Sequence, residues 1–289
     1  MIYTLHLTDL YLCSSLTTCV NHFIIKKKTR EACIVDYKKI ADIALLAGKI
    51  MLESNAETYR VEETVEHILK LSLLEHTEAF VLPTGIMITL DDTSIKAISL
   101  IHRVKTRTTD LRKIHKVNDI SRNLCANRLS IEDAYEQLTT LDEQEYSQLS
   151  IDIATLILAI GFTIMLGGNI YDSTVTLLNA IFLVLIFRVG RFLKSTTFFS
   201  NVIASIIAAI IGTIFVKQFP HHLSLDAIMV GSIMPMVPGT IITNAIRDTF
   251  HGDYLSGFAR CAEAVIIALS IALGVAVGLI LSGGGNLIS

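Results

Sequence analysis

Polar and apolar positions follow two different regimes along the chain. After Leu149 the sequence consists of long apolar runs at about 150–167, 173–190, 198–216, 226–246 and 260–281, separated by polar connectors. A helix needs about 20 apolar residues to cross about 30 Å of hydrocarbon, so each run predicts one span, the first two at the short end. Gly167-Gly168-Asn169 and Lys217-Gln218-Phe219-Pro220-His221-His222 are clear breaks. Before Leu149 the periods are shorter. Ala41, Ala44, Leu45, Gly48, Met51 and Leu52 recur at helical spacing over 36–53, and a second helix is predicted from about Ala56 to Leu74. Asn55 is its expected N-cap, with Glu57 in the first turn. Phe80–Leu90 then predicts strand, tight turn at Pro83-Thr84-Gly85, and strand. A turn at 91–94, a third strand over 95–106 and helices near 110–125 and 130–140 follow, the last opened by a capping-box-like Ser130 and Asp133.

The expected fold is therefore an α-helical polytopic membrane protein of about five transmembrane helices with an N-terminal α+β cytoplasmic domain. The expected division is a poorly ordered extension (1–35), the α+β domain (36–148), the transmembrane domain (149–282) and a tail (283–289), with a linker near 141–149.

Charge sharpens this division. Residues 1–149 carry 18 Lys+Arg and 21 Asp+Glu, whereas 150–289 carry 6 and 6. A water-soluble domain so poor in charge would expose too much apolar surface. The net charge of -3 and the lack of a basic stripe speak against a nucleic-acid partner. Five scattered cysteines with no CxxC pair predict free thiols rather than disulfides or a metal site. The basic run Lys26-Lys27-Lys28-Thr29-Arg30 follows the apolar stretch near the N-terminus, the reverse of a signal peptide.

The connectors set an expected orientation. Arg188, Arg191 and Lys194 follow the second span, and Arg247 and Arg260 follow the fourth; the alternate connectors hold only Lys217. Lys and Arg favour the cytoplasmic side, which puts the N-terminal half in the cytoplasm of a plasma (inner) membrane and the C-terminus outside. Ala204/Ala208/Gly212 and Ser270/Gly274/Gly278 are small residues at four-residue spacing, suited to close packing within the bundle, against another subunit or between copies of the chain.

The fourth run holds Met234-Pro235-Met236-Val237-Pro238-Gly239-Thr240. Each proline lacks an N–H and clashes with the preceding turn, so a broken helix is expected. Broken backbone at membrane depth must be buried in protein or line a polar cavity, and transporters build substrate sites at such breaks. Thr240, Thr243, Asn244 and Arg247 follow at i, i+3, i+4 and i+7 on one helical face. Pro235, Pro238, Gly239, Thr240, Thr243, Asn244 and Arg247 are thus the candidate substrate-binding residues. The alternative is a kink with Arg247 reaching to the headgroups. Asp152, Asp226, Glu263 and Arg260 are candidates for proton coupling or ion pairing, Glu263 with Arg260 one turn away. Thr155, Thr163 and Asn179 are further polar groups within the runs. Glu57, Tyr59, Arg60, Glu62 and Glu63 read as a solvated, ion-paired helix face, and His102, Arg103, Lys105 and Arg107 as a solvated edge strand. The spacing shows no catalytic set and no metal or cofactor site.

Glu53-Ser-Asn-Ala-Glu-Thr-Tyr59-Arg60-Val-Glu62-Glu63, Pro83-Thr84-Gly85, Asp110-Leu111 through Asn118–Arg122, Met234-Pro-Met-Val-Pro238-Gly239, Asn244-Ala-Ile-Arg247-Asp248 and Ser256-Gly257-Phe-Ala-Arg260 together resemble the threonine/serine exporter (ThrE) family, most closely its shorter, YjjP-like branch. The resemblance covers about 36–281. It implies a subunit of a secondary exporter of small carboxylate-bearing metabolites: threonine and serine in the longer members, C4-dicarboxylates such as succinate in some two-subunit members. It also implies a separate small membrane subunit as partner, because the longer members carry a second hydrophobic block after this one. A membrane-anchored hydrolase working through the N-terminal domain and a non-transporting scaffold are the competing classes; neither needs a broken span.

Overall fold

The structure is a computed structural model that describes residues 37–93, 95–141 and 147–283. The expected extension, most of the expected linker and nearly all of the tail lie outside the described residues.

Two helices open the N-terminal half. Helix α1 (Tyr37–Glu53) and helix α2 (Thr58–Leu69) pack together with Ile43, Ala47, Met51, Val61 and Val65 fully buried. Gly48 lets them close: a Cβ there would lie 2.7 Å from Val65. Strands β1 (His76–Leu82), β2 (Gly85–Asp91) and β3 (Ile98–Arg103) form an antiparallel sheet in the order β1-β2-β3. The two-residue turn Pro83-Thr84 fixes the register at Leu82 opposite Gly85. Alternation then sends Val81, Ile86, Ile88 and Leu90 into the core and leaves Phe80, Met87 and Ile101 on the open face. Helix α3 (Leu111–Cys125) starts at an N-cap, where Asp110 accepts the amides of Arg112 and Lys113 at 3.1 Å each. Helix α4 (Ile131–Leu141) starts at a capping pair, the Asp133 amide donating to Ser130 at 3.1 Å and the Ser130 hydroxyl to Asp133 at 2.7 Å. The expected α+β unit is present.

The second half is helical: α5 (Gln148–Met165), α6 (Ile170–Phe192), α7 (Thr197–Gln218), α8 (Leu225–Ile233), α9 (Gly239–Phe250) and α10 (Tyr254–Leu281). Four of these, α5, α6, α7 and α10, are long and apolar enough to cross a membrane. Helix α8 runs on through a 3-10 turn (Met234–Met236) and then bends by 59° into α9; counted together, this bent pair brings the candidate spans from four to five. Outward-facing leucines, isoleucines and phenylalanines on these helices suit lipid contact, so the chain is a multi-pass membrane protein.

The small-residue face of α10 packs on α7, but not on the Ala204/Ala208/Gly212 stripe, whose Gly212 faces Ile228 and Met229 of α8 instead. A Cβ at Gly274 would lie 2.5 Å from the Val202 carbonyl, and one at Gly278 2.7 Å from that of Ile206. Helix α10 begins at Tyr254 rather than near residue 260, because Arg260 is not in a connector. It is buried in the helix, held by partners described below.

Candidate functional site

The break follows from the prolines. Pro235 is the middle residue of the 3-10 turn and Pro238 stands at the N-cap position of α9. Beyond the break, α9 turns its polar stripe toward α2 and α3. A cleft of about 670 Å³ opens there, lined from α9 by Gly239, Thr240, Thr243, Asn244 and Arg247 and from the N-terminal domain by Asn55, Glu57, Arg60, Thr109, His115 and Asn118, among others. Five of the seven residues expected at the substrate site share this wall; Pro235 and Pro238 shape the break without lining it. The expected place for this site is inside the span. The structure sets these residues against the N-terminal domain instead, because the bend carries α9 off the line of α8.

The cleft floor is a cross-domain polar knot. Asn55 takes a left-handed backbone (φ 63°), a conformation asparagine tolerates better than most residues. It is therefore not the cap of α2; Glu57 occupies that position and makes no side-chain capping bond. Asn55 instead ties three segments together. Its carbonyl accepts from Asn244 Nδ2 at 2.7 Å, its Oδ1 accepts from Arg260 Nη1 at 2.7 Å, and its Nδ2 donates to Thr109 Oγ1 at 3.3 Å. Thr109 lies 3.3 Å, hydroxyl to hydroxyl, from Thr240. Arg260 is 0% exposed and also donates to the Ala56 carbonyl at 2.7 Å. Its Nε sits 2.9 Å from Asp248 Oδ2, close enough for an ion pair but off line for a hydrogen bond. Asp248, also 0% exposed, accepts the Thr58 amide at 2.9 Å and the Thr58 hydroxyl at 3.0 Å. Two buried charges so arranged are compensated on every side.

Glu57 departs from the expected pattern. It was expected on a solvated face; it is 6% exposed and ion-paired to Arg247, with Arg60 at 3.4 Å on its other oxygen. Burial pushes its carboxyl up. The bond from its own backbone N–H, the hydrogen bond and charge of Arg247 and the charge of Arg60 outweigh that and hold it below the ordinary carboxylate range. Its neighbour Tyr59 stacks flat on His251, ring centres 3.8 Å apart, while Glu63 stays exposed as expected. On the same face, burial and then Asp253 and Glu66 push the Glu62 carboxyl up.

The four candidates for proton coupling or pairing are scattered. Asp152 pairs with Arg188, joining α5 to α6. Asp226 is exposed in the first turn of α8. The expected Glu263–Arg260 pair does not form: Arg260 turns inward to Asp248, and Glu263 turns to Arg107 at 2.6 Å. Only Arg260 belongs to the knot beneath the cleft. Arg107 thus does more than decorate a basic edge; it tethers the segment after β3 to α10.

Residues 42–282 match the family model described as "Putative threonine/serine exporter". The chain belongs to the threonine/serine exporter family. It is also 22% identical over 251 residues, 84% of this chain and 46% of the relative, to a "Probable threonine/serine exporter" of Mycobacterium tuberculosis. The chain therefore spans about half the length of that curated relative. No solved structure matches it. The family is one of membrane exporters, which accords with the long apolar helices of the second half. Within the cleft, two guanidinium groups, one carboxylate, amides and hydroxyls converge on a space large enough for a small polar metabolite. The roles of Glu57, Asp248 and Asn55 were not legible in the sequence, because Arg247 lies 190 positions from Glu57, Thr58 190 from Asp248 and Arg260 205 from Asn55.

Proposed function

We propose that this chain is one subunit of a secondary exporter of small carboxylate-bearing metabolites, threonine and serine or C4-dicarboxylates such as succinate, across the plasma membrane. The cleft between α9 and the N-terminal domain receives the substrate on the cytoplasmic side. The observation that carries this reading is the convergence of Thr240, Thr243, Asn244 and Arg247 from the broken span with Glu57 and Arg60 from α2. Arg247 and Arg60 both lean on Glu57, so an incoming carboxylate exchanges with Glu57 for a guanidinium instead of having to bring in a new charge. In this reading a separate membrane subunit completes the exporter.

The test is export by cells lacking the native gene and complemented with variants, normalised to folded protein in the membrane. A Cβ at Gly239 meets nothing within 4 Å, so Gly239→Leu folds and fills the cleft. Arg247→Lys keeps the charge but loses the bidentate fork. Both lower export by about tenfold or more, the scale of one charged hydrogen bond, and Thr240→Val lowers it less. Near-normal export by all three refutes the assignment.

A further inference from the structure

The membrane half holds a polar level that the cleft does not reach. Asn179 of α6 is 2% exposed, inside the bundle. Its Nδ2 donates to Ser232 Oγ of α8 at 2.9 Å and to the Ala208 carbonyl of α7 at 3.4 Å. A backbone carbonyl only accepts, which fixes the nitrogen on that side and turns Oδ1 the other way. Oδ1 is buried and has no hydrogen-bond partner. An unsatisfied buried acceptor costs about 1–3 kcal/mol, and in hydrocarbon no stray water makes good the loss. The Ser232 hydroxyl spends its proton on the Ile228 carbonyl at 2.7 Å, so it offers no donor to relieve Asn179. At the same height on α8 the Gly231 carbonyl lacks its helical donor: position four on is Pro235, and the Met234 N–H goes to Val230.

The level has a defined place. Leu183, Ala204, Met236 and Ile271 form a buried apolar cluster between α6, α7, α10 and the turn before the break. Asn179, Ala208 and Ser232 each stand four residues from Leu183, Ala204 and Met236 on the same helices, one turn or about 6 Å further from the N-terminal domain. On all three the apolar layer thus lies between the N-terminal domain and the level of Asn179.

Building on the cleft as the entry site, we infer that Asn179 and Ser232 form a second substrate station inside the membrane, gated by the Leu183–Met236 layer, where Asn179 Oδ1 accepts a hydrogen bond from the substrate's ammonium or hydroxyl group. Asn179 and Ser232 offer a free acceptor and no free donor of their own, which suits an amino acid and gives a second carboxylate nothing to hold there. The station therefore selects an amino acid over a dicarboxylate. The apolar layer must part for the substrate to reach it, so the polar level is dry at rest and wetted during turnover.

The experiment replaces the five native cysteines by serine and introduces Ser232→Cys, which is nearly isosteric and keeps Asn179 Oδ1, in cells that carry the complete export system. A membrane-impermeant maleimide is applied during export, alone and with threonine, serine or succinate. Labelling is expected during export and is slowed about tenfold by threonine or serine, the scale of one occupied charged hydrogen bond, but not by succinate. Asn179→Leu is expected to lower export per folded protein about tenfold while threonine binding at the cleft is unchanged. Failure of Ser232→Cys to label in cells that export overturns the station, as does normal export by Asn179→Leu. Equal protection by succinate overturns the selection for a donor group. Protection at Ser232→Cys alongside unaffected export in Arg247→Lys removes the cleft reading and leaves the station standing.

Discussion

At the scale of single residues the cleft is governed by who compensates whom. Arg260 and Asp248 are each fully buried, and each is the other's countercharge. Arg260→Met leaves Asp248 buried with only the Thr58 donors, and the expected loss is about 3–5 kcal/mol. Adding Asp248→Asn removes the orphan charge and recovers part of it. Thermal unfolding in detergent reads both, and a double variant no more stable than Arg260→Met would show that the pair is not coupled. The acidic residues respond to pH with opposite signs. Glu57 is held low, so its contribution is present above the ordinary carboxylate range and is lost as pH falls through its folded value. Asp253 is pushed up by burial and then by Asp248, against the pull of His251. Its folded form holds the proton more tightly, so it costs stability as pH rises through the raised value. Glu57→Gln is therefore expected to lower the melting temperature at neutral pH and to match the native chain in acid. Asp253→Asn is expected to raise it at neutral pH, with the gain vanishing in acid. Melting curves from neutral to acidic pH check both signs.

At the scale of elements the decisive feature is how α9 lies against α10. A Cβ at Gly257 would run into the Thr249 hydroxyl and come within 3.0 Å of the Ala245 carbonyl. Glycine at that crossing lets α9 present Asn244 and Asp248 to the N-terminal domain while staying pressed to the first turns of α10. Gly257→Ala is expected to lower the melting temperature. Thr249→Ala in the same chain should restore part of the loss, since the hydroxyl is removed and the carbonyl is not. No recovery would mean that the backbone contact alone sets the approach. The spans were legible in the sequence because a run of apolar residues of that length has few other readings, and the break because two prolines three residues apart cannot sit in one helix. The strand pairing was legible from Pro83-Thr84-Gly85. What α9 packs against was not. Helical spacing puts Thr240, Thr243, Asn244 and Arg247 on one face but is silent on the face opposite. Glu57 stood among charges that look solvated by composition, and its burial depends on Arg247, 190 positions later. Arg260 and Glu263 stand at pairing distance along a helix, yet each found a partner elsewhere in the fold.

At the scale of the whole molecule the N-terminal domain and the membrane bundle share one polar knot, so a change at the cleft is felt in both. The match covers about half of the longer relative. We expect the purified chain, reconstituted alone, to bind substrate without transporting it, and transport to appear only with the second membrane subunit; transport by the single chain would remove the need for a partner. The central claim is that substrate is held between Arg247 of the broken span and the Glu57–Arg60 face. The most direct measurement is equilibrium binding of labelled threonine, serine and succinate to the purified chain in detergent, for the native protein, Arg247→Lys and Gly239→Leu. The account predicts saturable binding by the native chain, weakened about tenfold by Arg247→Lys, the cost of one charge-assisted hydrogen bond, and abolished by Gly239→Leu. Equal affinity in all three proteins would contradict it.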